Sequence, residues 1–148
     1  GIDIKWRKEA IALLKPDNPK YILDIATGTG DLAIEALTLK PEKVIGVDIA
    51  QNMLKVGKKK IQDRKLENLL ELKQADVSSL PFKENTFDAV IVAFGVRNFE
   101  DLTMGLKEMN RVLKPGGKVV ILEFSNPKKF PVKQVYNLYF TLPIVTRI

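Results

Sequence analysis

One stretch concentrates residues able to do chemistry: Asp24-Ile25-Ala26-Thr27-Gly28-Thr29-Gly30-Asp31, at the end of a short β-rich run and just ahead of a helical pattern. Glycines at this spacing allow a tight turn and a close approach of backbone to ligand. With Ala33 the stretch fits G-x-G-x-x-G/A, and Asp48 follows about where a ribose-binding acid belongs. A pyrophosphate in such a loop rests on the helix N-terminus, held by free N–H groups and the positive end of the dipole. Asp24 and Asp31 place two carboxylates beside that position, and they would repel it.

The same two carboxylates suit a ligand with positive charge at that end. S-adenosylmethionine is one, carrying an ammonium, a sulfonium and a carboxylate but no phosphate. Asp48 would accept from both ribose hydroxyls. Asp76, read alone, is an ordinary loop acid; its place after the third strand assigns it the adenine amino group, beside apolar Val77. The candidate cofactor-binding set is Asp24, Ala26, Thr27, Gly28, Thr29, Gly30, Asp31, Asp48, Ile49, Met53, Asp76, Val77 and Ala93.

Composition narrows the chemistry. The 148 residues contain no His and no Cys, which removes the usual zinc and iron–sulfur ligands and both Ser-His and Cys-His nucleophilic machinery. No metal is expected. Proton transfer falls to a carboxylate, Tyr, Lys or water. The lack of Cys suits a cytosolic setting. No apolar run approaches the roughly 18 residues of a membrane span, and the first residues do not read as a signal peptide. The net charge of +6 is spread out, so no nucleic-acid partner is expected. The densest run, Lys55, Lys58, Lys59, Lys60, Arg64 and Lys65, reads as a solvated helix face opposite Met53, Leu54, Gly57 and Ile61.

Strand-like and helix-like segments alternate with short connections, which predicts an α/β fold: a mainly parallel sheet with helices on both faces. A helix is expected over about 4–14. Strands are expected at Tyr21–Ile25, Val44–Val47, Leu69–Lys73, Phe87–Phe94 and Val119–Phe124. A further helix carries Leu102, Leu106, Met109 and Leu113 on one face and ends at Lys114-Pro115-Gly116-Gly117. Beyond Pro127 a helix starting at Pro131 would align Val132, Val135, Tyr136, Tyr139 and Leu142, as one more core helix or as part of a lid over an apolar substrate.

These features resemble class I S-adenosylmethionine-dependent methyltransferases, with a Rossmann-like fold, over nearly the whole chain. Leu80-Pro81-Phe82 ahead of Thr86-Phe87-Asp88 belongs to that likeness. Three stretches narrow it: Ala26–Leu32, Phe94-Gly95-Val96-Arg97-Asn98, and Arg111-Val-Leu-Lys-Pro-Gly-Gly-Lys-Val-Val-Ile-Leu-Glu123-Phe-Ser125. Together they are similar to the menaquinone/ubiquinone-biosynthesis C-methyltransferases of the UbiE type. The resemblance implies methylation of a ring carbon of a polyprenylated quinol precursor, with S-adenosylhomocysteine as the other product. It also implies a single domain over residues 1–148 that is incomplete at both ends, because the family's N-terminal signature and closing strand pair fall outside it. Some family members have Asn-Ala at Asp76-Val77 and Ser at Ala93, so a hydroxyl contact at position 93 is not expected.

Activating a ring carbon requires ionising the neighbouring hydroxyl, whose pKa is near ~10. Arg97 and Asn98 are the candidate catalytic residues. Arg97 would stabilise a phenolate or orient a water rather than act as base, and Asn98 would fix the second oxygen. Phe94, Arg97, Tyr136 and Tyr139 are the candidate substrate contacts. A polyprenyl tail implies peripheral contact with a membrane surface. Three alternatives stay open: another small-molecule acceptor, a non-catalytic S-adenosylmethionine-binding module, and a nicotinamide dehydrogenase. Oligomeric state leaves no sequence signal.

Overall fold

In the computed structural model of the chain, the described residues are 4–93, 99–122 and the backbone of 123–124 and 133–134. Element order is α1 (Ile4–Ala12), β1 (Tyr21–Ile25), α2 (Asp31–Ala36), β2 (Lys43–Asp48), α3 (Gln51–Asp63), β3 (Leu70–Gln74), β4 (Phe87–Ala93), α4 (Leu102–Val112), β5 (Leu113–Phe124) and β6 (Lys133–Gln134). The strands form one sheet in the order β3-β2-β1-β4-β5-β6. The first five run parallel, and β6 pairs antiparallel with the end of β5.

Two cores follow from the alternation of side chains along each strand. On one face Ile22, Val44, Leu70, Leu72, Ile91 and Val120 pack against α1, α2 and α3 through Ala10, Ile11, Leu32, Ala33, Leu54 and Ile61. On the other, Leu23, Ile25, Val47, Val90, Val92 and Ile121 pack against Met109 and Val112 of α4, with Leu80 and Phe87. Both faces of β1 and β4 are covered, which is why these strands read as unbroken apolar runs. Arg111 fastens the Leu80-Pro81-Phe82 turn by donating to the carbonyls of Leu80 and Phe82 at 3.1 and 2.8 Å while paired with Glu108.

The chain leaves β1 towards β2 on one side, and β4 then inserts on its other side. Between β1 and β4 the strand order reverses, and in open α/β sheets the crevice beyond the carboxyl ends of the strands at that point is where ligands sit. Gly46 on β2 lies directly beneath the loop that follows β1. A Cβ there would stand 2.5 Å from Thr27 Oγ1 and 2.9 Å from Thr27 Cβ, so the absent side chain is what lets the loop settle on the sheet.

Four expectations are corrected. α1 ends at Ala12, and Leu14 is buried just beyond it. Of the helical face expected at Leu102, Leu106, Met109 and Leu113, Met109 and Leu113 are buried and Leu106 packs against the same core, but Leu102 is 48% exposed; the buried residue of the first turns is Gly105, under Phe99. β5 begins at Leu113 rather than Val119. It pairs Phe87 with Leu113 and Ala89 with Lys118, so the Lys-Pro-Gly-Gly turn is a bulge within a strand. Lys133–Gln134 form β6 at the point where a helix from Pro131 was expected.

Candidate functional site

The loop after β1 departs from regular geometry at alternate residues: Ala26, Gly28 and Gly30 all have positive φ, at 57°, 59° and 88°. Ala26 is the costly one, since a residue with a Cβ seldom adopts this region and backbone strain of this kind collects at functional sites. The strained conformation is secured on all sides. The Thr27 N–H donates to the Val47 carbonyl at 2.9 Å and the Gly30 N–H to the Thr27 carbonyl at 2.9 Å. Asp48, the last residue of β2, accepts from the Gly28 N–H at 2.8 Å with Oδ2 and from the Ala50 N–H at 2.9 Å with Oδ1. One carboxylate thereby ties the loop to the tip of β2 and to the start of α3.

A cavity of about 410 Å³ opens beside this loop, at the carboxyl ends of β1 to β4. It is lined by Ile25, Ala26, Gly28, Val47, Asp48, Ile49, Met53, Ala75, Asp76, Val77, Ala93, Phe99 and Glu100. The volume falls within the range of small-molecule sites. Among these residues there are three carboxylates and no basic side chain. Asp48 has two of its roughly four lone-pair positions taken by backbone N–H groups, leaving one on each oxygen for an outside donor. Asp76 Oδ1 accepts from the Ser78 N–H at 2.8 Å, which shapes the turn after β3.

Eight of the candidate cofactor residues come together on this cavity: Ala26, Gly28, Asp48, Ile49, Met53, Asp76, Val77 and Ala93. Five stand behind it. Asp24 is 1% exposed, and its Oδ2 accepts from Thr27 Oγ1 at 2.7 Å. Asp31 forms an ion pair with Lys60 at 2.6 Å, and the same Nζ reaches Thr29 Oγ1 at 3.3 Å. Gly30 is buried at the start of α2. The charge argument drawn from Asp24 and Asp31 is therefore corrected. Burial, with Asp48 nearby, pushes the Asp24 carboxyl up to about 7 against the pull of the Thr27 hydroxyl and the Ala33 N–H, and Asp31 is neutralised by its partner. The negative charge facing the cavity comes from Asp48, Asp76 and Glu100.

Phe99 and Glu100 were not singled out from the sequence. Phe99 directly follows the Phe94–Asn98 stretch, and its ring lies over Gly105 beside Val77. Phe94, Arg97, Asn98, Tyr136 and Tyr139 fall outside the described residues.

Comparison with known proteins gives this geometry a context. Residues 1–148 match the model of the ubiE/COQ5 methyltransferase family. The chain belongs to this family. It is 50% identical over 147 residues to the demethylmenaquinone methyltransferase of Bacteroides fragilis, covering 99% of this chain and 60% of that protein. It is 40% identical over 149 residues to the ubiquinone/menaquinone biosynthesis C-methyltransferase UbiE of Geobacter sulfurreducens, covering 98% and 58%. The chain thus spans about 60% of the length of the curated relatives it matches. Among solved structures, it is similar to a Pyrococcus horikoshii protein with a TM-score of 0.73 at 27% identity, covering 87% of this chain and 57% of that one. A SAM-dependent methyltransferase from Aquifex aeolicus has a TM-score of 0.68 at 21% identity over 88% and 79%, a likeness of fold. The Rossmann-like methyltransferase fold expected from the sequence is the one observed.

The raised carboxyl of Asp24 has a thermodynamic consequence. An acid whose folded pKa lies above its unfolded value binds its proton more tightly when folded, so its contribution to stability falls as pH rises from about 4 to about 7 and is flat above. The loss is about 4 kcal/mol at about 1.4 kcal/mol per pH unit. Asp24→Asn keeps the shape and cannot ionise. Wild type is expected to lose stability relative to Asp24→Asn between pH 5 and pH 8 in urea unfolding; parallel pH profiles would contradict the buried neutral acid.

Proposed function

We propose that the protein is an S-adenosylmethionine-dependent methyltransferase that methylates a ring carbon of a polyprenylated quinol, converting demethylmenaquinol to menaquinol or carrying out the equivalent step on a benzoquinol. The observation that carries the cofactor half is the charge of the cavity's described lining: three carboxylates, no basic side chain among the described lining residues, and an Asp48 with one free position on each oxygen. A pyrophosphate would be repelled there, whereas a cationic ligand with a vicinal diol is matched. The acceptor half is supported by family membership and by the printed activities of the relatives.

The cofactor, when bound, supplies an electrophilic methyl group on a sulfonium. The chain's part is placement and charge. Asp48 would receive the ribose hydroxyls and Asp76 the adenine amino group, beside the apolar Val77 and Ile49 that line the same cavity. The glycine loop removes any side chain that would keep the ligand off the backbone. Arg97 holds the ionised ring hydroxyl of the acceptor and Asn98 its second oxygen, so that the ring carbon faces the methyl group; alignment of this kind is worth several orders of magnitude in rate. Phe94, Tyr136 and Tyr139 wall the quinol.

Among the described residues no helix is long and apolar enough to cross a membrane. The acceptor's tail calls for peripheral contact, and the charge of +6 favours an anionic surface by about 1 kcal/mol per well-placed basic residue.

Two measurements on the full-length protein test this reading. Calorimetry is expected to show binding of S-adenosylhomocysteine and none of NAD, with Asp48→Asn weakening the former by about 10- to 100-fold, as for loss of charge-assisted hydrogen bonds. Methyl transfer to demethylmenaquinol should exceed transfer to simple phenols; NAD binding, or equal use of all phenols, would contradict it. In vesicle sedimentation, binding should rise with anionic lipid content and fall with salt. Indifference to both would refute the membrane contact.

A further inference from the structure

Lys60 differs from the other basic residues of α3. Lys59 pairs with Asp63 one turn along the same helix, with both side chains mostly in water, at 77% and 62% exposure. Lys60 is only 23% exposed and turns the other way, across to the loop that follows β1. Its Nζ stands 2.6 Å from Asp31 Oδ1 and 3.3 Å from Thr29 Oγ1.

The rest of that helix face makes the contact continuous. Met53, Gly57 and Lys60 fall at i, i+4 and i+7, one stripe of a helix. A Cβ on Gly28 would lie 3.3 Å from Met53 Cε. A Cβ on Gly57 would lie 2.9 Å from the Thr29 carbonyl oxygen, so the two backbones approach directly. Three successive turns of α3 thus follow the loop from Gly28 to Asp31.

Such backing is needed because the loop has little shape of its own. Glycine loses more conformational freedom on ordering than any other residue, and Gly28 and Gly30 bracket Thr29. Asp48 holds the near end through the Gly28 N–H. The far end has Lys60.

We propose that Lys60 is a positioning residue for cofactor binding: by joining Thr29 and Asp31 it holds residues 28–31 in the shape the ligand meets. This rests on the S-adenosylmethionine reading of the same cavity. Lys60 touches no ligand. Its loss leaves the ligand to order the loop on binding, which weakens affinity and leaves the transfer step alone. The Asp31 carboxyl is held below the usual carboxylate range, chiefly by its hydrogen bond from Lys60 and against partial burial.

The test uses the full-length enzyme, calorimetry with S-adenosylhomocysteine, and steady-state kinetics. Lys60→Met keeps the length and removes the charge; Lys60→Arg keeps donors; Asp31→Asn cuts the same pair from the other side; Lys59→Met is the control. Lys60→Met is expected to raise Kd and the KM for S-adenosylmethionine about tenfold, with kcat and the KM for the quinol within about twofold. Lys60→Arg should recover most of the affinity. Asp31→Asn added to Lys60→Met should cost little more, since coupled residues are non-additive, and Lys59→Met should match wild type. Unchanged affinity in Lys60→Met, additive losses in the double variant, or a fall in kcat equal to the loss of affinity would each overturn the proposal. If Lys60→Met does not fold, Asp31→Asn carries the same comparison. Wild-type enzyme that binds no S-adenosylhomocysteine would overturn the cofactor reading itself, and this inference with it.

Discussion

The site depends on one carboxylate that bonds to its own backbone before it meets any ligand. Asp48 accepts the N–H groups of Gly28 and Ala50, and those two bonds join three elements that converge at the crevice: the loop after β1, the tip of β2 and the start of α3. They help to select a loop conformation that carries a strained Ala26 and two glycines in the left-handed region. The bonds also orient the carboxylate. Asp48 also lines the cavity and keeps a free acceptor position on each oxygen, so the group that builds the loop is the one proposed to meet a ribose. Pre-organisation of this kind lowers the cost of binding because the ordering is complete before the ligand arrives.

Charge at the site is sorted by depth. Asp24, under the loop, has its carboxyl pushed up to about 7 by burial, against the pull of the Thr27 hydroxyl and the Ala33 N–H. Asp31, at the loop's outer shoulder, keeps its charge and cancels it against Lys60. Asp48, Asp76 and Glu100 face the open volume. The sequence shows five acids around the site; only the packed structure separates the buried one, the paired one and the three that line the cavity.

β1 to β4 are legible in the sequence to within a residue, β1 and β4 because they are covered on both faces and so write continuous apolar runs. The glycine loop and Asp48 were legible because few residues tolerate positive φ or cap a strand tip in this way. What escaped had physical causes. Lys60 lay inside a run of lysines whose bulk is solvated, and only its spacing from Met53 and Gly57 sets it apart. At α4 the spacing of Leu102, Leu106, Met109 and Leu113 predicts the packed face except at Leu102, which is exposed, while the buried Gly105, under Phe99, has no apolar side chain to mark it. The start of β5 was placed late because Pro and two glycines look like a stop, whereas here they form a bulge between two paired stretches.

The central claim is that a pre-formed carboxylate at the β2 tip, and not the acids flanking the glycine loop, receives the cofactor. A crystal structure of the full-length protein with S-adenosylhomocysteine tests it most directly. The account predicts both ribose hydroxyls on Asp48, the Gly28 and Ala50 N–H bonds to Asp48 retained, and Asp31 still joined to Lys60. A ligand amine seated on Asp24 or Asp31, or an Asp48 turned away from the ribose, would contradict it.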